Sequence, residues 1–185
     1  LLYRVMLATT NPGDVVLDTT TTTGDSGGYF SNLISPGIVL DRQQGFTLGW
    51  RTALLGETHL SNDRAGFNVL VVTTDLMALE LGVWSNEVWA QHDVPLFTQG
   101  GGVAFATGTM VSYELDVLGT AYTLRADGNI ILSGSLSRGT SSSLTRSSIP
   151  DTTAASFFLL SSFRGRLLIE GAPSIAIAKQ LPSSI

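Results

Sequence analysis

The chain has 185 residues, with 10 basic and 15 acidic side chains giving a formal net charge of −5. Only 14% of it is charged and 43% is hydrophobic, against roughly 25% charged in an average soluble domain, so Ser, Thr, Gly, Asn and Gln must cover most of the surface. Nine arginines are scattered from Arg4 to Arg166 and Lys179 is the one lysine; with no basic stripe to displace counterions from a phosphate backbone, nucleic acid is excluded as a partner class, and the absence of cysteine excludes disulfides and thiolate metal sites.

One all-β sandwich or barrel accounts for this length, since such folds run to about 200 residues as a single unit. We therefore expect one domain over residues 1–185. No run of about 20 apolar residues is present, so no transmembrane segment is expected. The chain starts at Leu1 without an initiator Met or a basic-plus-apolar leader, as expected of either a processed product or a fragment of a longer protein.

From the first residues onward, short apolar runs alternate with turn residues, the pattern of many strands. Residues 2–8 and 15–18 read as strands. The β-branched run 19–23 reads as an edge strand or loop, Tyr29-Phe30 resumes the apolar pattern, and Ser35-Pro36-Gly37 breaks it. Between 45 and 54, Phe46, Leu48 and Trp50 alternate with Thr47, Gly49 and Arg51, the period of two of a strand with one buried face. Residues 64–74 become apolar on both faces, which fits the middle of a sheet.

Residues 76–84 and 87–91 form a predicted hairpin around Ser85-Asn86 and carry two of the three tryptophans. A loop through Gly100-Gly101-Gly102 is expected next. Residues 111–117, 121–126 and 129–135, joined by Gly119-Thr120 and Asp127-Gly128, read as a three-strand meander, because Asp-Gly between alternating apolar runs favours a type I′ turn. A Ser/Thr/Gly/Arg loop over 137–148 leads to short β-like runs at 155–160, 166–170 and 174–178. The architecture implied is a two-sheet antiparallel sandwich.

Several segments carry a family resemblance: Leu40-Asp41-Arg42 with Gly45-Phe46-Thr47-Leu48; Asn62-Asp63-Arg64-Ala65-Gly66-Phe67; Glu80-Leu81-Gly82 with Trp84; Glu87-Val88-Trp89-Ala90-Gln91; Leu96-Phe97-Thr98; and Tyr113-Glu114-Leu115 leading to Tyr122-Thr123-Leu124 and Asp127-Gly128. Together they resemble the concanavalin A-like, laminin-G-like jelly-roll domains of secreted bacterial proteins, frequent in cyanobacteria, that carry C-terminal anchors of the PEP-CTERM or choice-of-anchor type. The resemblance spans roughly residues 40 to 135. It implies a sandwich fold and an extracellular or cell-surface location, and it implies no particular activity.

Four groups of residues bear on chemistry. Trp84 and Trp89, with Glu87, are the candidate glycan-binding set, as indoles stack on sugar rings; for Trp89 a core position is the competing reading, and Trp50 is placed in the core by its alternation with Phe46 and Leu48. Glu80 and Glu87 are the one pair of carboxylates that could flank a glycosidic bond, but the close acidic triplet of sandwich glucanases is missing, so no catalytic residue is assigned. Asn62, Asp63, Glu80 and Asp93 offer the hard oxygen ligands of a calcium site. His59 and His92 stand beside Glu57 and Asp93 and read as ordinary loop histidines.

The end segments 1–10 and 166–185 are β-rich and could pair within the chain or with an open edge of a neighbouring copy. With the weakly charged surface, they lead to the expectation of a non-enzymatic extracellular structural protein whose sandwich subunits self-associate into a filament, sheath or surface layer. The alternative is a carbohydrate-binding, lectin-like module, and a glycan-cleaving enzyme ranks third.

Overall fold

The computed structural model describes residues 15–18, 27–30, 40–58, 67–92, 98–138, 156–161 and 164–169. Thirteen strands in two antiparallel sheets make up the described fold. They are β1 (Val15–Asp18), β2 (Gly27–Phe30), β3 (Phe46–Thr58), β4 (Phe67–Val72), β5 (Met77–Val83), β6 (Glu87–His92), β7 (Thr98–Ala104), β8 (Val111–Leu118), β9 (Ala121–Ala126), β10 (Asn129–Ser135), β11 (Ser137–Arg138), β12 (Ser156–Ser161) and β13 (Arg164–Ile169). Sheet A has the order β1-β13-β3-β8-β9-β10, and sheet B the order β2-β12-β4-β5-β6-β7 with β11 beside β5. The chain is thus an all-β, jelly-roll sandwich of two antiparallel sheets.

The sheets form where the sequence alternates. In β8 the odd-numbered residues from Val111 to Val117 are buried while Ser112, Glu114 and Leu118 are exposed, which turns one pleated face inward. Phe46, Leu48 and Trp50 of β3 meet that face, and Phe67, Val69 and Val71 of β4 oppose it from sheet B in one continuous core. A fully buried leucine such as Leu115 contributes about 2 kcal/mol through the apolar surface it removes from water. Trp50 stacks on Tyr113 with ring centroids 5.4 Å apart. Burial, reinforced by the charge of Asp127, pushes the Tyr113 phenol well above its ordinary range.

The predicted meander is present as β8, β9 and β10, and its second turn has Asp127 and Gly128 at φ 47° and 82°, the pair of positive values that a type I′ turn requires. The hairpin around Ser85-Asn86 is present as β5 and β6. The triple-glycine segment departs from expectation. It runs as strand β7 along the edge of sheet B, where bare backbone is accepted because the side chains of β6 fill the space beside it. Ser137 and Arg138, expected in a loop, pair with Ala78 and Met77 as β11, in line with the row that β6 leaves open beside the start of β5.

Both end pairs close the sandwich. In sheet B, β12 lies between β2 and β4; in sheet A, β13 lies between β1 and β3. Within the end segment 166–185, residues 166–169 are held on both sides by strands of their own chain, the closure within the subunit that the sequence left open beside pairing with a neighbouring copy. Residues 1–10 and 170–185, together with the predicted strands 2–8 and 174–178 and the run 19–23, lie outside the described residues.

Candidate functional site

The candidate site lies on the outer face of sheet B, where β4 to β7 run side by side. Inward residues of β6 are Val88 and Ala90, so its alternate residues Glu87, Trp89 and Gln91 share the outer face. The ladder pairs Gly82 of β5 with Trp89 and Trp89 with Gly102 of β7. A large indole is thereby seated between two glycines, one on each neighbouring strand.

Trp89 is 1% exposed and Trp84 7%. Their rings meet edge to face with centroids 5.8 Å apart, a favoured aromatic geometry. Trp84 leads into the turn after β5 and is fastened there: its carbonyl accepts a 2.6 Å bond from Thr107 Oγ1, and its N–H donates to Glu87 O at 2.8 Å. The two indoles form a packed floor with no open ring face on which a sugar could stack.

Polar side chains surround this floor. Asn68 Nδ2 donates to Glu80 Oε1 at 2.8 Å, and Gln99 Nε2 donates to Glu87 Oε1 at 2.8 Å. Gln91 is paired with Gln99 across β6 and β7. All five side chains, Asn68, Glu80, Glu87, Gln91 and Gln99, are half-buried. The Glu87 carboxylate lies over bare backbone: a Cβ built on Gly102 would stand 2.6 Å from Glu87 Oε1 and 3.1 Å from Trp89 Cβ. A glycine at this point marks a close approach that any side chain would block. Two polar atoms of the face, Asn68 Oδ1 and Trp89 Nε1, are buried without a hydrogen-bond partner.

Glu80 and Glu87 share the face, with Trp89 between their levels in the ladder. Each carboxylate is held by a separate amide. Of the candidate calcium ligands, Glu80 sits in mid-strand bound to Asn68, while Asn62, Asp63 and Asp93 lie outside the described residues; among the described residues no cluster of three or more His, Cys, Asp or Glu could hold a metal ion. His59 also lies outside them. His92 ends strand β6, so its backbone belongs to the sheet and not to a loop. Asn68, Gln91 and Gln99 were not singled out by the sequence. Gln91 was accessible to it by alternation from Trp89, whereas Gln99 joins the face only through a register shift between Trp89 and Gln91 on β6, which no local pattern announces.

The outer face of sheet A carries a different set. Arg125 pairs with Asp116 and, at 3.7 Å, with Glu114, and Thr47 Oγ1 donates to Asp116 Oδ1 at 2.6 Å. These are cross-strand pairs of β3, β8 and β9, closed on one another.

No known protein family matches the chain, and no curated protein does. Solved structures with a similar course of chain include carbohydrate-binding module CBM66 from Bacillus subtilis, at 10% identity and TM-score 0.43 over 86% of this chain and 92% of that one. Sheep galectin-11 in complex with glycerol is similar at 9% identity and TM-score 0.39, over 80% of this chain and 99% of its own. The Crh5 transglycosylase in complex with NAG is similar at 14% identity and TM-score 0.34, over 87% and 85%. At identities and TM-scores this low, none of these likenesses bears on what the chain does.

Proposed function

We propose that the protein is a non-catalytic carbohydrate-binding module that takes a glycan on the outer face of sheet B. The observation behind the reading is the half-buried set of Asn68, Glu80, Glu87, Gln91 and Gln99 around Trp89. Amides and carboxylates on neighbouring strands offer the donors and acceptors that sugar hydroxyls require, and their mutual bonds fix them before a ligand arrives, which lowers the ordering cost of binding. The Trp84–Trp89 pair acts beneath them as support, holding Gly102 and Glu87 in place. This replaces the stacking role expected of the two tryptophans.

The test is binding of a panel of soluble polysaccharides by titration calorimetry or affinity electrophoresis. A hydrogen bond to a charged group is worth about 1.5–3 kcal/mol, so Gln99→Ala and Glu87→Ala are each expected to weaken binding by roughly tenfold or more, while Thr123→Ala on the opposite sheet leaves it unchanged. Failure to bind any polysaccharide, or binding indifferent to both variants, overturns the reading. EDTA is expected to leave affinity unchanged, since each described carboxylate of the face is engaged by an amide. Release of reducing sugar that disappears in Glu87→Gln would replace binding by cleavage.

Export to the cell surface belongs to the same proposal and rests on the resemblance of residues 40 to 135. The self-associating filament is set second, because residues 166–169 already sit between two strands of their own sheet. Filaments or sheets of purified protein in electron micrographs would restore it.

A further inference from the structure

We infer that the glycan is an uncharged polysaccharide and that the face rejects anionic ones, an inference that rests on the glycan-binding reading above. Two of the five polar side chains on the face are carboxylates and the other three are neutral amides. Among the residues whose side chains are described, the basic ones, Arg42, Arg51 and Arg125, are placed elsewhere. Arg42 is tied to Asp75 and Gly119 at one end of the sandwich, and Arg51 and Arg125 belong to the outer rows of β3 and β9 in sheet A. Gln99 holds the Glu87 carboxylate over Gly102, so its charge stays on the face instead of swinging into solvent.

A uronate or sulfate group brought within a few ångströms of Glu87 meets like charge in a half-buried setting, where screening by water is weaker than at an open surface. The net charge of −5 adds a repulsive field at low salt. A hydroxyl at the same place instead donates to the carboxylate. Negative charge on this face thus favours neutral sugars by attraction to their hydroxyls and excludes acidic ones by repulsion.

The probe pair is a neutral polysaccharide that binds, laminarin or xylan for example, and its own carboxymethylated derivative. Carboxymethylation is expected to weaken binding at least about tenfold at low ionic strength, and the loss should shrink in 0.5 M NaCl. Glu87→Gln, which removes the charge and keeps an oxygen acceptor, should reduce the ratio of the two affinities. Equal or tighter binding of the carboxymethylated form, or an affinity ratio indifferent to both salt and Glu87→Gln, overturns the inference. If alginate or polygalacturonate binds on this face and no neutral polysaccharide does, the inference fails while the glycan-binding reading stands; if nothing binds, that reading fails first.

Discussion

At the scale of single residues, glycine decides what the candidate face can do. At Gly102 an added methyl meets the end of a flexible carboxylate at 2.6 Å and the Trp89 Cβ at 3.1 Å. Gly102→Ala is therefore expected to push Glu87 aside, lowering glycan affinity several-fold in calorimetry with a change in thermal stability of no more than about 1 kcal/mol. Gly128 offers the contrast: nothing lies within 4 Å of its built Cβ, but its φ is +82°. Gly128→Ala should cost about 1 kcal/mol through backbone strain and leave binding untouched. The sequence made the Asp127-Gly128 turn legible because its signal is local. It concealed the part played by Gly102, because that depends on which side chain of the neighbouring strand lies above it. The tryptophans were ambiguous for a related reason: alternation puts Trp89 on an outer face, and its 1% exposure depends on packing against neighbours such as Trp84 that no local pattern announces.

At the scale of elements, β6 joins the core and the candidate site in one strand. Truncating its buried indole removes a large packed side chain, so Trp89→Ala is expected to cost about 3–5 kcal/mol in denaturant unfolding; loss of glycan binding in that variant would report a damaged fold, which is why Gln99→Ala is the better test of the site. The turns also act together. Arg42 Nε donates to Asp75 Oδ2 at 2.8 Å and its Nη1 donates to Gly119 O at 3.0 Å, linking the β4–β5 turn of sheet B to the β8–β9 turn of sheet A. The Arg42 guanidinium, helped by the Thr73 hydroxyl, lowers the Asp75 carboxyl from 3.8 to about 2. A depressed carboxyl stabilises the folded state fully above its ordinary pKa and loses that contribution as pH falls toward the folded value. Asp75→Asn should thus lower the melting temperature at neutral pH, and the gap to the wild type should close between about pH 4 and pH 2; a gap constant over that range would show that the carboxylate charge contributes nothing. The alternating strands, β3 and the meander, could be read from pattern, and β5 and β6 from the apolar runs on either side of Ser85-Asn86. Strand β7 could not, since three glycines carry no period and its place is set by β6.

At the scale of the whole molecule, the two sheets are completed by segments far apart in sequence, with β12 and β13 seated beside strands that all lie between Val15 and Val72. Removing residues 156–185 should leave β3 and β4 with open edges, and β4 is apolar on both faces. Such a protein is expected to aggregate, as measured by light scattering; a soluble monomer with the wild-type unfolding midpoint would show that the end strands are dispensable. No local pattern could reveal these pairings, although β1, β3, β4, β12 and β13 were each visible as short apolar runs and, of β2, only Tyr29-Phe30 was. They also set an order of events during synthesis. Phe67–Val72 leaves the ribosome long before its partner Ser156–Ser161 exists, and at about 5–20 residues per second that hydrophobic edge waits for several seconds. Newly made chains would therefore depend on a chaperone, or on delayed folding, until the last strands emerge.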